Sequence, residues 1–491
     1  MVHSQMSPIG EQDETDPKSP MIALNPIFSR DQPNTDPKSP IVELATIPLN
    51  QLGILYRPTS ALAVTYRTYK RRFFGYALLL LLSLLVSWSF TAFAVVIDIT
   101  ADYFDTTTST INWFATIWLF CNTIACPPAA WAMRVSAKRS LVCGAALMLA
   151  SSWLKYGGTK IHNMGLAMFG QILSGFASAF ICNVPPLYSN EWFSPETRAT
   201  ATAVGCMSNV AGGVMSALVM PVWVNDLSDV PITVLWTSVI TTVVAIPVFF
   251  IPAAPPTPPS AAVDDEQKEV STVKEELKWI GRSPEAMLII VAFMTASGLW
   301  NSGSALFQKA GVANALLNSI GPLTSLLLGP LADRTRLHLW IARCCAVLLA
   351  ISVIVFIWVP QSHNLAFLYT MTSLLSVAVL GVWPIMLELM AEIVYPRGCE
   401  VAVCCMFAGV SFMGGVFTIA MGYMKDAEGT LQHALYLQAA LGVTAAILYL
   451  SLGQFGRKEF VRMKRYAAEK VLEPVAEDSE ADVRGVSEVV A

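Results

Sequence analysis

Four asparagines, Asn122, Asn183, Asn209 and Asn301, and the aromatic residues Trp88, Phe90, Phe93 and Trp300 lie inside long apolar runs of this 491-residue chain. An amide in such a run offers a donor and an acceptor where water is scarce, and an aromatic face attracts a cation or a flat ring. This is the chemistry of binding a small molecule and not of making or breaking bonds. No nucleophile–base pair and no phosphate-binding glycine loop accompanies these residues, so no enzyme and no cofactor are expected. The ten cysteines and the histidines His3, His162, His338, His363 and His433 form no ligand-spaced cluster, so no metal is expected. Substrate contact and helix-to-helix hydrogen bonding both stay open for Asn209 and Asn301. Trp88 is read first as a packing or lipid-facing ring.

The elements that position these residues follow from composition. With 54% hydrophobic and 13% charged residues and a mean hydropathy of +0.55, the chain has too little polar surface to cover a soluble globule of its length. It reads as a multi-pass all-α membrane protein. Apolar windows of about 20 residues, the length that crosses a hydrocarbon core, recur near 73–103, 110–133, 140–157, 163–189, 198–222, 231–251, 284–305, 312–331, 339–359, 364–389, 399–423 and 431–453. They are continuous runs and not the short alternating strands of a barrel. The windows fall into two sets offset by about 200 residues. Glu191-Trp192-Phe193-Ser194-Pro195 closes a segment in the first set and Glu392-Ile393-Val394-Tyr395-Pro396 in the second, and each is followed by a glycine pair, Gly212-Gly213 and Gly414-Gly415. Parallel halves of six helices each, at 67–252 and 284–456, place a substrate site between them near the bilayer midplane.

Basic residues in short loops set the orientation. Arg67, Lys70, Arg71, Arg72, Arg134, Lys138, Arg139, Arg198, Arg334, Arg336, Arg397 and Arg457 fall on one side, and little beyond Lys155, Lys160, Lys309 and Lys425 on the other. Both termini are therefore expected in the cytoplasm, in a plasma-membrane or vacuolar/lysosomal-type membrane. Residues 1–66 are polar and proline-rich, hold no signal-peptide core, and repeat Thr15-Asp16-Pro17-Lys18-Ser19-Pro20 as Thr35-Asp36-Pro37-Lys38-Ser39-Pro40. They read as disordered, and Ser19 and Ser39 as kinase sites or plain linker. In the linker 253–283, Val270, Val273, Leu277 and Ile280 recur at helical spacing, suggesting a short amphipathic helix on the cytoplasmic surface. The tail 457–491 is acidic toward its end and reads as solvated. Acids sit toward span ends, with Asp98 and Asp102 at the outer end of the first span and Glu388 one turn from Glu392. A proton-coupled carrier needs an ionisable group deep in the route, where burial costs roughly 2.5–3.5 kcal/mol, so uniport is favoured over symport.

Gly329-Pro330-Leu331-Ala332-Asp333-Arg334-Thr335-Arg336 resembles the cytoplasmic loop motif of the major facilitator superfamily. In that motif the glycine permits close helix approach and the charged residues hold one gating state. The matching first-half loop runs from Trp131 to Arg139 and has Arg134 where the family has an acid. The stretch Trp192-Phe193-Ser194-Pro195-Glu196-Thr197-Arg198 and the run from Glu388 to Pro396 resemble solute carrier family 49, the feline leukaemia virus subgroup C receptor-related and disrupted-in-renal-carcinoma-like carriers. Gly170-Gln171, Trp153-Leu154-Lys155 and Tyr69-Lys70-Arg71-Arg72 agree with it, over most of 66–455.

The resemblance implies a carrier of a small organic solute working by alternating access, with a choline-, ethanolamine-, heme- or pyridoxine-like substrate. A solute sensor that signals through its tails is the second reading. The chain departs from the family's aromatic cage, with Phe90 at a tryptophan position, Ser178 and Gly409 at glutamines and Asn301 at a tyrosine. The candidate solute contacts are thus Phe90, Asn183, Asn209, Trp300 and Asn301, with Trp88 and Ser178 beside them. The candidate gating residues are Gly329, Asp333, Arg334, Arg336, Arg134, Glu191, Glu388 and Glu392. The implied partners are the solute and the lipid bilayer, with no nucleic acid and a monomeric state. The stretch from Asn301 to Asp333 is shorter than in the family, leaving two spans of near-minimal length.

Overall fold

Prolines and glycines decide where the long helices bend or stop. The computed structural model describes residues 69–257, 272–306, 311–335, 337–362, 364–424 and 432–452. The duplicated N-terminal element, the acidic C-terminal tail, Val270, Arg336 and the side chain of Asp333 lie outside the described residues. The first half comprises α1 (Arg72–Val95), α2 (Ile97–Tyr103), α3 (Thr108–Val135), α4 (Ala137–Lys160), α5 (Met164–Cys182), α6 (Val184–Trp192), α7 (Arg198–Trp223) and α8 (Asp229–Val248). The linker contributes α9 (Val273–Arg282). The second half comprises α10 (Pro284–Leu306), α11 (Gly311–Thr335), α12 (His338–Phe356), α13 (Leu365–Leu380), α14 (Trp383–Val394), α15 (Glu400–Tyr423) and α16 (Gln432–Ser451), with a single turn at Val359–Ser362.

Two expected spans are broken at equivalent points. Pro185 and Pro186 open α6, and Pro384 opens α14. A proline ring removes one N–H and clashes with the carbonyl four residues back, so the backbone yields at Asn183 and at Gly381-Val382. The first expected span also breaks, at Val96, between α1 and α2.

Nine spans among the described residues are long and apolar enough to cross a membrane by length and composition. α3 and α4 are as long but more polar, and α11 has an apolar part, Leu316–Ala332, that is shorter than the nine. The short stretch expected between Asn301 and Asp333 holds most of a 25-residue helix, α11, whose apolar part is Leu316–Ala332. At about 1.5 Å per residue the whole helix spans a bilayer core. Exposed apolar side chains such as Leu218, Val222, Leu327 and Ile447 form a surface that suits lipid and not water.

The halves repeat each other in packing. The first helix of each half lies along the fifth (α1 on α7, α10 on α15), and the second along the fourth (α3 on α5, α11 on α13). The third packs on the sixth (α4 on α8, α12 on α16). Small residues make the closest approaches: a Cβ at Gly212 would strike the backbone oxygen of Leu84, and one at Gly414 would lie 3.0 Å from Asn301 Cβ. Gly212 and Gly414 therefore sit where helices of one half cross, while Gly415 faces Phe120 of α3 in the other half. Between the halves the large contacts are α3 with α15 and α7 with α11.

One basic residue expected in an outer loop is buried instead. Lys155 lies within α4, 6% exposed, with its Nζ donating to Ser89 Oγ and to Gln171 Oε1 at 2.9 Å. Its stem runs against Gly170, where a side chain would leave no room. The charge count misplaced it because a lysine near a helix end reads as loop whether it snorkels outward or turns inward.

Candidate functional site

A cavity of about 660 Å³ lies between the halves, walled by α1, α3 and α7 on one side and α10, α11 and α15 on the other. It runs from Thr108, Ser109 and Tyr423 at its mouth to Ser87, Phe90 and Asn209 in its depth. The mouth is at the end that the loop charges assign to the outside. Each first-half wall presents one helical stripe, Ser87-Thr91-Ala94, Asn112-Thr116-Leu119 and Asn209-Gly213-Ala217, at the three-to-four-residue spacing that brings side chains to one face.

Of the expected solute contacts, Phe90, Asn209, Trp300 and Asn301 line this cavity. The Phe90 and Trp118 rings lie 4.5 Å apart at 36°, and Trp300 meets Trp383 edge-on at 5.8 Å and 87°. Asn209 spends both amide hydrogens within its own half, on the Ser83 carbonyl at 3.2 Å and on Cys182 Sγ at 3.2 Å. What it retains for a solute is its carbonyl oxygen. Asn301 is held by the close approach of Gly414. The other three lie elsewhere. Trp88 packs on Trp223 at 5.9 Å in a separate apolar cluster, Ser178 donates to Cys182 Sγ at 3.6 Å, and Asn183 is buried beneath the cavity between Cys126 and Cys404. Trp113, Trp118, Asn112 and Asn318 line the cavity and were missed in the sequence. For the three on α3 the signal was the polar stripe of that helix, which lowers its hydropathy and makes it look like an ordinary mixed helix; Asn318 lies on α11.

The cavity lining contains no Asp, Glu, Lys, Arg or His among the described residues. Its polar atoms are amides, hydroxyls and backbone groups between aromatic faces. Such a lining binds through hydrogen bonds and ring contacts, without an ion pair.

The opposite end is closed. Thr202 Oγ1 donates to Glu388 Oε1 at 3.2 Å across the halves, and a Cβ at Gly329 would lie 3.4 Å from Ala203 Cβ, where α11 meets α7. Arg334 is exposed, while Glu191 and Glu392 are partly buried nearby in sequence to this closure. Arg134 Nη2 pairs with Glu276 Oε1 at 3.3 Å, the two side chains 19% and 3% exposed. Glu276 belongs to α9, which begins with a capping box of Thr272 and Glu275. The Thr272 backbone N–H donating to Glu275 holds that exposed carboxyl below its ordinary range. α9 packs on α10 and α15 of the second half, and the Arg397 guanidinium lies 5.2 Å from the Trp279 ring centre. The expected surface helix is present, but its inward face carries an acid as well as Ile280.

The sequence profile of the Major Facilitator Superfamily matches residues 79–320. The choline/ethanolamine transporter flvcr2b of Danio rerio is 22% identical over 399 residues, covering 76% of this chain and 82% of that protein. Solute carrier family 49 member A3 of Xenopus tropicalis is 24% identical over 367 residues, covering 68% and 73%. Among solved structures, the crystal structure of the major facilitator superfamily transporter FucP in the outward conformation aligns with a TM-score of 0.60 at 14% identity, covering 77% of this chain and 99% of FucP. That likeness is one of fold.

Proposed function

We propose that this chain, a major facilitator superfamily transporter resembling solute carrier family 49, carries a small organic solute by alternating access through the cavity between its halves, and does so by uniport. The observation that carries this reading is the uncharged lining. A solute held by Phe90, Trp118, Trp300 and the amides of Asn209 and Asn301 contacts both halves at once, so its binding energy is available to draw them together. Among the described residues no carboxylate, imidazole, amine or guanidinium stands at the lining to take up or give off a proton as the halves move. The cavity volume is that of a drug-sized or smaller molecule.

Of the relatives named above, flvcr2b is a choline/ethanolamine transporter. In this chain Phe90, Ser178, Asn301 and Gly409 replace the cage side chains of that family, which supports a solute other than choline. Twelve crossings, cytoplasmic termini and a monomeric carrier complete the reading. Flux into proteoliposomes, with and without a pH gradient, tests it. Uptake that is saturable and indifferent to the gradient is expected, and uptake that follows the gradient sinks uniport.

A further inference from the structure

Beneath the cavity, α3 of one half and α15 of the other meet along a buried polar seam. Asn122 Nδ2 donates to Ser411 Oγ at 2.6 Å, and the Thr123 hydroxyl is shared between the Leu119 carbonyl of its own helix at 3.1 Å and the Ala408 carbonyl across the seam at 3.3 Å. Farther from the cavity, Asn183 Nδ2 lies 3.7 Å from Cys126 Sγ and 3.5 Å from Cys404 Sγ. These rungs follow each other down both helices, starting one turn below Trp118. Apolar packing would close two helices without the desolvation that buried amides suffer.

Both amides are also left half satisfied. The Oδ1 atoms of Asn122 and Asn183 are buried with no partner, in residues 5% and 1% exposed. Turning either amide over exchanges oxygen for nitrogen and still leaves one polar group unpartnered. The helix that carries Asn122 is also weakened at this level. Pro127 and Pro128 lie inside α3 directly after Cys126, and each lacks the N–H that the carbonyls of Thr123 and Ile124 would use. A bend at that point would part α3 from α15 below the cavity and leave the upper part intact.

We propose that Asn122, Asn183 and Ser411 form a second, inner binding station, closed in this structure, that lines the solute's route once α3 and α15 part. The station takes a small solute bearing a hydroxyl or amino donor. This rests on the carrier reading. Its free groups are neutral acceptors, so it recognises donors without an ion pair. A quaternary ammonium ion lacking any donor sits against the ring faces of the cavity and gains nothing at the seam. The outer cavity therefore reads ring and shape, and the seam reads hydrogen-bond donors.

The native thiols of Cys126 and Cys404 report on the seam without substitution. The full chain is placed in right-side-out and inside-out membrane vesicles, treated with a membrane-impermeant maleimide, and the labelled peptides are mapped. We expect Cys126 and Cys404 to label from the cytoplasmic face several-fold faster than Cys345, a thiol buried in α12 away from the seam. Saturating ethanolamine should slow that labelling, and tetramethylammonium should not. Seam thiols that label no faster than Cys345 overturn the inner station, and equal protection by both probes, or protection by neither, overturns its donor preference. Ethanolamine flux in the same vesicles reads the carrier function separately. Flux with unlabelled seam thiols keeps the carrier and removes the station; protected seam labelling without flux keeps the station and removes the carrier.

Discussion

Asn209 illustrates how a residue's surroundings fix what it offers. Both its amide hydrogens are held by Ser83 and Cys182, so its oxygen faces the solute question alone. Asn209→Ala removes that acceptor together with the two donations to Ser83 and Cys182, and should weaken solute binding by about 1 kcal/mol, roughly fivefold, alongside a lower melting temperature. The Phe90–Trp118 pair supplies ring faces, and Phe90→Ala or Trp118→Ala should each lower affinity by about 1 kcal/mol, read by equilibrium binding in detergent. Affinity unchanged in all three would remove this wall from the site. Phe90, Asn209, Trp300 and Asn301 were legible in the sequence because polar and aromatic residues stand out against an apolar run. Trp118, Asn112 and Asn318 were not, because α3 and α11 are mixed in polarity and only the packing shows which stripe faces inward. Lys155 was misread for a related reason, since spacing gives no sign of whether a terminal lysine turns toward Ser89 and Gln171 or toward water.

Among the elements, α9 explains a departure that sequence comparison leaves open. By the resemblance to the superfamily motif an acid is expected at Arg134, and the acid that Arg134 meets, Glu276, comes from the linker helix. Because α9 rests on α10 and α15, the pair ties the first half to the second on the closed side. Glu276→Lys should break the tie and shift the carrier toward opening at that face, at a cost of about 1–3 kcal/mol given the partial exposure of Arg134. The double variant Arg134→Glu with Glu276→Lys should recover much of the loss, and a double variant no better than the single would show that the pair does not carry the closure. The break points of α6 and α14 were written in Pro185, Pro186 and Pro384, yet the apolar runs around them are unbroken, so the spans read as continuous. Gly212→Val should destabilise the first half by about 1–3 kcal/mol, seen as a lower melting temperature in detergent, because its side chain would meet the Leu84 backbone.

At the level of the whole molecule, twofold repetition was the most legible property, since equal packing of α1 on α7 and of α10 on α15 follows from the repeated segments and glycine pairs. What the sequence does not contain is the conformational state. The cavity is open at the Thr108–Tyr423 end and sealed along α3–α15 and α7–α11, and that asymmetry belongs to the arrangement of two rigid halves and not to any local pattern. The central claim is that a solute passes through this cavity. Gly213 lies on its wall, with Ser87 Oγ 3.2 Å from where a Cβ would stand, so a large side chain there projects into the solute's space. The most direct measurement loads proteoliposomes with a cell-derived mixture of small organic solutes and follows by mass spectrometry which of them equilibrate through the wild-type chain and through Gly213→Trp. The account predicts that at least one solute equilibrates through the wild type and that Gly213→Trp, folded and inserted at the same level, stops it. Undiminished flux through the filled cavity would contradict it.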